Sequence, residues 1–268
     1  MPPTPSQRVK SDDGEIAYWT LGDGPPVVLL HPFPVHHGFW LPMAEALSPR
    51  YRLILPDLRG HGESEVGESS ATMPKHAADI AKVMDDADVG RAPMIGVSIG
   101  GYILFEFWRK HRGRVAALGL SNTKPSADRP ESRAARLQAA ADALERGTEP
   151  AFESMIPKLL GKSTRESRPD LVDGAMRMMH TMSPDDFAKI QRGMAERPDS
   201  VDTLKTINVP TLLVTGDEDV MTGINEAELM RRHIAGSHLR LIPKAGHYAA
   251  WEQPAQFGTL LRQFLDGL

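Results

Sequence analysis

The chain predicts an α/β protein: a mainly parallel sheet with helices on both faces and an inserted run of helices. Three observations carry this. Short apolar runs at residues 27–30, 52–55, 93–95, 115–120, 209–214 and 238–243 read as strands bounded by glycine, proline and polar turns. Stretches with helical spacing separate most of them, and strands alternating with helices imply parallel pairing with both sheet faces covered. Between residues 124 and 206 the strand-like runs vanish, and Ala, Arg, Glu and Met dominate.

In chain order, residues 14–20 carry Ile16, Tyr18 and Trp19 after the turn Asp12-Asp13-Gly14 and read as an edge strand. Residues 27–30, Val-Val-Leu-Leu, read as a strand buried on both sides, ending at His31-Pro32-Phe33-Pro34. A short helix is expected over 39–47 and a strand over 52–55, which runs into Pro56-Asp57-Leu58-Arg59-Gly60-His61-Gly62-Glu63-Ser64. Pro74 can open a helix in its first turn, and Ala78, Val83, Met84 and Ala87 continue it. The strand at 93–95 and an apolar stretch from Tyr102 flank Gly96-Val97-Ser98-Ile99-Gly100. About four helices are expected over 124–206, broken at Gly147, Gly161, Pro169 and Pro184, before the last two strands and a helix over 254–265. The domain reading is therefore a core of 1–123 and 207–268 with an insertion of 124–206.

Composition narrows the function. The 268 residues suit one large domain, or a core with an insertion. A net charge of −4 leaves no basic footprint for nucleic acid. No run reaches about 18 apolar residues, so no spanning helix is expected. Residues 1–7 lack an apolar core and read as a frayed tail rather than a signal peptide. The absence of cysteine excludes disulfides and thiolate metal sites, and it fits a cytoplasmic protein.

The G-x-S-x-G run is the strongest local signal. A serine on a tight strand-to-helix turn stands exposed, and the helix that follows points unpaired N–H groups at any anion forming there. A glycine turn with a capping serine is the plainer reading of the same five residues. Two distant partners favour chemistry. A serine hydroxyl needs a base, and His247 follows the last strand in Ala245-Gly246-His247. That base needs a carboxylate to fix its tautomer, and the strand ending near Val214 leads into Thr215-Gly216-Asp217-Glu218-Asp219.

These runs resemble the α/β-hydrolase fold over nearly the whole chain. The resemblance rests on His31-Pro32-Phe33-Pro34, the turn 56–64, the serine turn and Ala245-Gly246-His247. The insertion resembles that fold's lid, and its place after Ser121-Asn122-Thr123 looks most like the serine esterase and lactonase branch, including 3-oxoadipate enol-lactonases. The resemblance implies a catalytic triad of Ser98, Asp219 and His247, with Asp217 the runner-up acid. It implies an oxyanion hole of the Phe33 and Ile99 backbone N–H groups. Where the family has glycine after the histidine, this chain has Pro32; Phe33 keeps its own N–H. The Phe33–Pro34 bond is expected to be cis. Asp57 to Gly62 is expected to be structural.

His37, Trp40, Met155, Met179 and His180 are expected to line the substrate pocket. Met155, Met176, Met178, Met179, Met182 and Met194 suit either lid packing or an adaptable apolar wall. Arg129, Arg133 and Arg136 are expected on a solvated face rather than as a carboxylate clamp. The resemblance thus implies a serine hydrolase of carboxylic esters or lactones working through an acyl-enzyme, on a small-molecule substrate, with no cofactor, metal, nucleic-acid or membrane partner. Its rivals are enol-lactone or C–C bond hydrolysis, or perhydrolysis, by the same residues, and a non-catalytic ligand-binding protein on the same fold. Haloalkane dehalogenase and epoxide hydrolase are disfavoured, because those relatives carry aspartate where Ser98 stands.

Overall fold

The apolar runs pair into one eight-stranded sheet in the computed structural model, which describes residues 6–268. Residues 1–5, most of the expected tail, lie outside the described residues. The strands are β1 (Gln7–Lys10), β2 (Glu15–Leu21), β3 (Pro26–Leu30), β4 (Arg52–Pro56), β5 (Ala92–Val97), β6 (Val115–Ser121), β7 (Thr211–Gly216) and β8 (His238–Ile242). Their spatial order is β1-β2-β4-β3-β5-β6-β7-β8. From β4 to β8 all neighbours are parallel, while β1 and β2 join antiparallel at one end. The expected edge strand is therefore second in the sheet. Gln7–Lys10, too short and polar to show a strand pattern, supplies the edge instead.

β3, β5, β6 and β7 are the central strands, and their side chains are almost all buried. Such strands have no solvent face, so they read as continuous apolar runs. Parallel neighbours need crossovers. Helical ones are α1 (Leu41–Ala44), α2 (Met73–Asp86), α3 (Ile99–His111) and α10 (Gly223–His233), while α11 (Ala249–Glu252) and α12 (Pro254–Asp266) follow the last strand. Pro74 stands in the first turn of α2, and Pro254 opens α12, where a missing N–H costs nothing. The helix α10 was not apparent in the sequence. Its apolar stripe is thin, with only Ala227 and Met230 buried.

Between β6 and β7, six helices stand where about four were expected: α4 (Pro130–Arg146), α5 (Glu149–Leu159), α6 (Lys162–Ser167), α7 (Pro169–Met179), α8 (Pro184–Ala195) and α9 (Val201–Leu204). Gly147, Gly161, Arg168 and Ser183 are the boundaries of the first five. The extra count comes from two short pieces, α6 and α9, too brief to show a periodic face. Among the described residues, no helix is long and apolar enough to cross a membrane.

The carboxyl ends of the parallel strands deliver the candidate residues to one edge of the sheet. β3 ends before His31 to Pro34, β5 before Ser98, β6 before Asn122, β7 before Asp217 to Asp219, and β8 before Ala245 to His247. Loops at that edge form the usual binding crevice of open α/β sheets.

Candidate active site

Ser98 is the hinge between β5 and α3, with φ +54° and ψ −112°. A non-glycine residue at positive φ stores backbone strain and persists only where its surroundings fix it. Here they do. The Ser98 N–H donates to the Ser121 carbonyl at 3.0 Å. Its carbonyl accepts from Gly101 N at 2.9 Å and Thr123 Oγ1 at 2.8 Å. The glycines around it are required by space: a side chain at Gly96 would strike the Gly100 backbone, and one at Gly100 the Leu30 carbonyl. Ile99 is the first residue of α3, so its N–H has no carbonyl four residues back within the helix.

His247 is buried, and its Nδ1 lies 3.2 and 3.1 Å from Oδ1 and Oδ2 of Asp219. The Asp219 carboxylate accepts four further hydrogen bonds. Met221 N and Thr222 N donate to Oδ1 at 2.8 and 3.1 Å, and Thr222 Oγ1 and Asn122 Nδ2 to Oδ2 at 2.6 and 2.9 Å. Burial alone would raise its pKa. The imidazole of His247 and the hydroxyl and amide donors outweigh burial, and they hold the carboxyl below the usual carboxylate range. Asp217 instead accepts from Ala245 N at 3.4 Å. Nε2 of His247 is buried without a hydrogen-bond partner among the described residues, and it shares a cavity with Ser98.

The turn holding His247 is tied on both sides. Gly246 N and Gly161 N donate to Glu252 at 2.9 and 2.8 Å, which joins this turn to the start of α6. Tyr248 N donates to the Leu159 carbonyl at 3.0 Å. The Tyr248 hydroxyl donates to the Phe33 carbonyl at 2.8 Å, so the residue after His247 grips the loop after β3. In that loop the Phe33–Pro34 bond is cis, as the sequence led us to expect. Leu58 N donates to Nε2 of His31 at 2.9 Å, so Nδ1 carries the ring proton and donates to the Pro32 carbonyl at 2.9 Å. Burial pushes His31 well below the usual histidine pKa and keeps it in that neutral form.

The cavity over these groups has a volume of about 370 Å³. Phe33, Ser98, Tyr102, Met221, Thr222 and His247 face it from the sheet and its loops. Lys124, Asp128, Arg136, Met155, Lys158 and Gln191 face it from the insertion, with Leu159 and Met194 beside them. Asp128 is the centre of a charge cluster. Arg136 Nε and Arg197 donate to it at 2.6 and 2.9 Å, and Lys124 Nζ stands at 3.3 Å. Burial would raise its pKa, but the two guanidinium groups prevail and lower it to about 2.

A family model described as the alpha/beta hydrolase fold matches residues 25–254. The chain belongs to the α/β-hydrolase fold family. A thermophilic esterase from Thermogutta terrifontis, solved with malate bound, superposes with a TM-score of 0.94 at 36% identity, covering 97% of this chain and 98% of that one. A 3-oxoadipate enol-lactonase from Acinetobacter baylyi is 25% identical, covering 92% and 90%. A pimeloyl-[acyl-carrier protein] methyl ester esterase from Chromobacterium violaceum is 26% identical, covering 92% and 96%.

In this hydrolase, Ser98, His247, Phe33 and Met155 reach one cavity, and Asp219 backs His247. Four residues expected at the pocket do not line it. His37 stacks on Trp19 with ring centroids 3.5 Å apart and lies 2.9 Å from Asp57 through Nδ1. It belongs to the structural turn, where Asp57 also accepts from His37 N and Glu63 N. Trp40 is fully buried beside Phe39 and Phe257. Met179 is fully buried in the core, and His180 faces outward against Glu149 at 2.5 Å. Arg136, expected on a solvated face, turns inward to Asp128 and Gln191. The sequence reading missed Lys124, Asp128, Lys158, Gln191, Tyr102, Met221 and Thr222. Only Thr222, three residues after Asp219 and thus within reach of a turn hydrogen bond, left a local signal.

Proposed function

We propose that this hydrolase cleaves carboxylic esters or lactones through an acyl-enzyme on Ser98. The observation that carries this reading is the convergence, on one cavity, of a strained serine and a buried histidine backed by a saturated carboxylate. Ser98 Oγ attacks the carbonyl carbon while His247 Nε2 takes its proton. Asp219 holds Nδ1–H and stabilises the imidazolium that forms. The Phe33 and Ile99 N–H groups receive the developing oxyanion. Nε2–H then protonates the departing alkoxide, leaving an acyl-serine. Water, deprotonated by His247, attacks that ester, and the proton returns to Ser98 as the acid departs. A lactone follows the same course and yields a hydroxy acid. Residues 124–206 act as the lid over the cavity, and 1–123 with 207–268 as the core.

The names of the esterase and enol-lactonase relatives support this chemistry over a purely ligand-binding role. They also keep ester and lactone as paired options. A screen of p-nitrophenyl esters and aliphatic lactones, run with wild type and Ser98→Ala, tests it. Turnover of at least one class, lost in Ser98→Ala, is expected. Retained turnover in the purified variant contradicts the assignment.

A further inference from the structure

Asp219 and His247 hang from strands of unequal support. β7 lies between β6 and β8, whereas β8 closes the sheet and pairs with β7 alone among the described residues. The side chains of β8 are mostly exposed. The spacing of neighbouring strands, about 4.8 Å, brings the two loops side by side. It does not fix the tips of those loops, where Nδ1 of His247 meets the carboxylate of Asp219.

A short piece of the insertion reaches both tips. Glu252, at the end of α11 and 2% exposed, accepts from Gly246 N at 2.9 Å through Oε1 and from Gly161 N at 2.8 Å through Oε2. Glu218, the neighbour of Asp219, accepts from Ser163 N at 2.8 Å and from the Ser163 hydroxyl. Its own N–H donates to the Ala245 carbonyl at 2.9 Å. These contacts converge on Gly161. A β-carbon there would lie 2.6 Å from the Glu218 carboxylate, 2.8 Å from Gly246 N and 3.1 Å from the Glu252 carboxylate. The Gly246 carbonyl accepts from Asn122 Nδ2 at 3.1 Å, so both polar atoms of the residue before His247 are held. Residues 161–163 belong to the insertion but are not among the cavity-lining residues. By their bonds they join the loops of Asp219 and His247.

We propose that residues 161–163 brace the acid–base pair, and that Glu218 and Glu252 are positioning residues that fasten this brace to the two loops. The insertion then helps to set the geometry of His247, besides lining the cavity. The inference rests on the serine-hydrolase reading, in which that geometry decides kcat. A misplacement of about 1 Å at a reacting group can cost about 10²-fold. The two carboxylates differ in what they demand. Both donors at Glu252 are backbone N–H groups, so both of its oxygens must accept. Glutamine offers one acceptor there and turns its NH2 on the other N–H. At Glu218 one partner is a hydroxyl, which can accept from a glutamine NH2.

The test uses Glu252→Gln, Glu218→Ala and Glu218→Gln. Asp185→Asn, which removes an exposed acid paired with Lys189 on α8, is the control. Glu252→Gln and Glu218→Ala should each lower kcat about tenfold, with KM within about twofold. Glu218→Gln and Asp185→Asn should stay near wild type. One brace needs both fastenings, so Glu252→Gln combined with Glu218→Ala should fall little below either alone, whereas independent effects would multiply. With nitrogen-labelled histidine, the Nδ1 proton resonance of His247 reads the contact without any turnover. It should be sharp in wild type and Glu218→Gln, and broadened or lost in Glu252→Gln and Glu218→Ala.

An unchanged kcat and Nδ1 resonance in both variants, with only a lower unfolding midpoint, would overturn the proposal. So would losses that multiply in the double variant. Glu218 is only partly buried, so Glu218→Ala and its glutamine rescue carry the test should Glu252→Gln not fold. If wild type turns over no ester or lactone, the serine-hydrolase reading fails, and the Nδ1 resonance still decides the brace by itself.

Discussion

The two sides of the cavity are built by different means. On the sheet side, the groups near Ser98 and His247 are fixed by short, buried and mostly neutral hydrogen bonds: Thr123 to Ser98, Asn122 and Thr222 to Asp219, Tyr248 to Phe33, Leu58 to His31. They come from loops at the ends of four strands, β4, β6, β7 and β8, so the sheet itself sets the spacing. On the insertion side, helices packed on one another, with the loop before them, present an ion cluster at Asp128, methionines and lysines. A neutral, saturated network keeps one geometry, as a transition state requires. Long charged and thioether side chains adapt to what arrives. The difference teaches that this fold separates the chemistry, which must be rigid, from substrate choice, which can be soft.

If that division is right, substitutions on the sheet side fall on kcat and those on the insertion side on stability or selectivity. The largest effect belongs to Ser98→Ala, with kcat down by about 10⁶-fold by analogy with other serine triads. Far-UV circular dichroism should be unchanged. Asp219→Asn follows, at about 10⁴-fold, because an amide cannot hold the same imidazole tautomer. Asp217→Asn should stay within about threefold of wild type. Reversed ranks in steady-state assays would move the acid to Asp217.

Tyr248→Phe should lower kcat about tenfold with little change in KM, because its hydroxyl holds the carbonyl of Phe33, whose N–H is the proposed donor to the transition-state oxyanion. An increase in KM alone would assign Tyr248 to ground-state binding instead. Asp128→Asn should cost about 3 kcal/mol in urea unfolding while kcat changes less than about fivefold, since it leaves the buried Arg197 short of its counter-charge. A large loss of kcat at unchanged stability would break the division between the two sides.

The last effect concerns pH. His61 is fully buried, and burial holds its pKa down to about 4, against about 6.5 in an unfolded chain. The unfolded state therefore binds a proton that the folded state refuses. The stability from neutral His61 is complete above about pH 6.5 and is lost as pH falls from there towards 4. At pH 5 it should remove about 2 kcal/mol from the free energy of unfolding. His31 and His76, also lowered by burial, act in the same direction. Urea titrations at pH 7 and pH 5 read this directly, and equal midpoints would refute it.

The same division explains what the sequence made legible. Ser98, Asp219 and His247 sit at the ends of strands whose apolar runs are visible, on turns whose glycines are required by space. Position along the chain then translates into position at the sheet edge. Asn122 entered the sequence reading only as part of the run before the insertion, yet its amide bonds the acid that came from the next strand. Lys124, Asp128, Arg136 and Lys158 left no such trace. Their neighbours are decided by how α4 lies on α8 and where α5 ends, and helix-face polarity does not encode which helix covers which charge. Arg136 reads as solvent-facing until Asp128 and Gln191 are placed beside it. His37, Trp40, Met179 and His180 were drawn to the pocket by residue type, whereas packing sent them to a structural turn, the core and the outer surface.

The central claim is that Ser98 is the nucleophile and His247 its base. Fluorophosphonate labelling followed by peptide mass mapping tests it most directly. One adduct is expected, on Ser98, formed in step with loss of esterase activity, absent in Ser98→Ala and strongly slowed in His247→Ala. An adduct on another residue, or full activity in protein that remains unlabelled at Ser98 under saturating reagent, would contradict it.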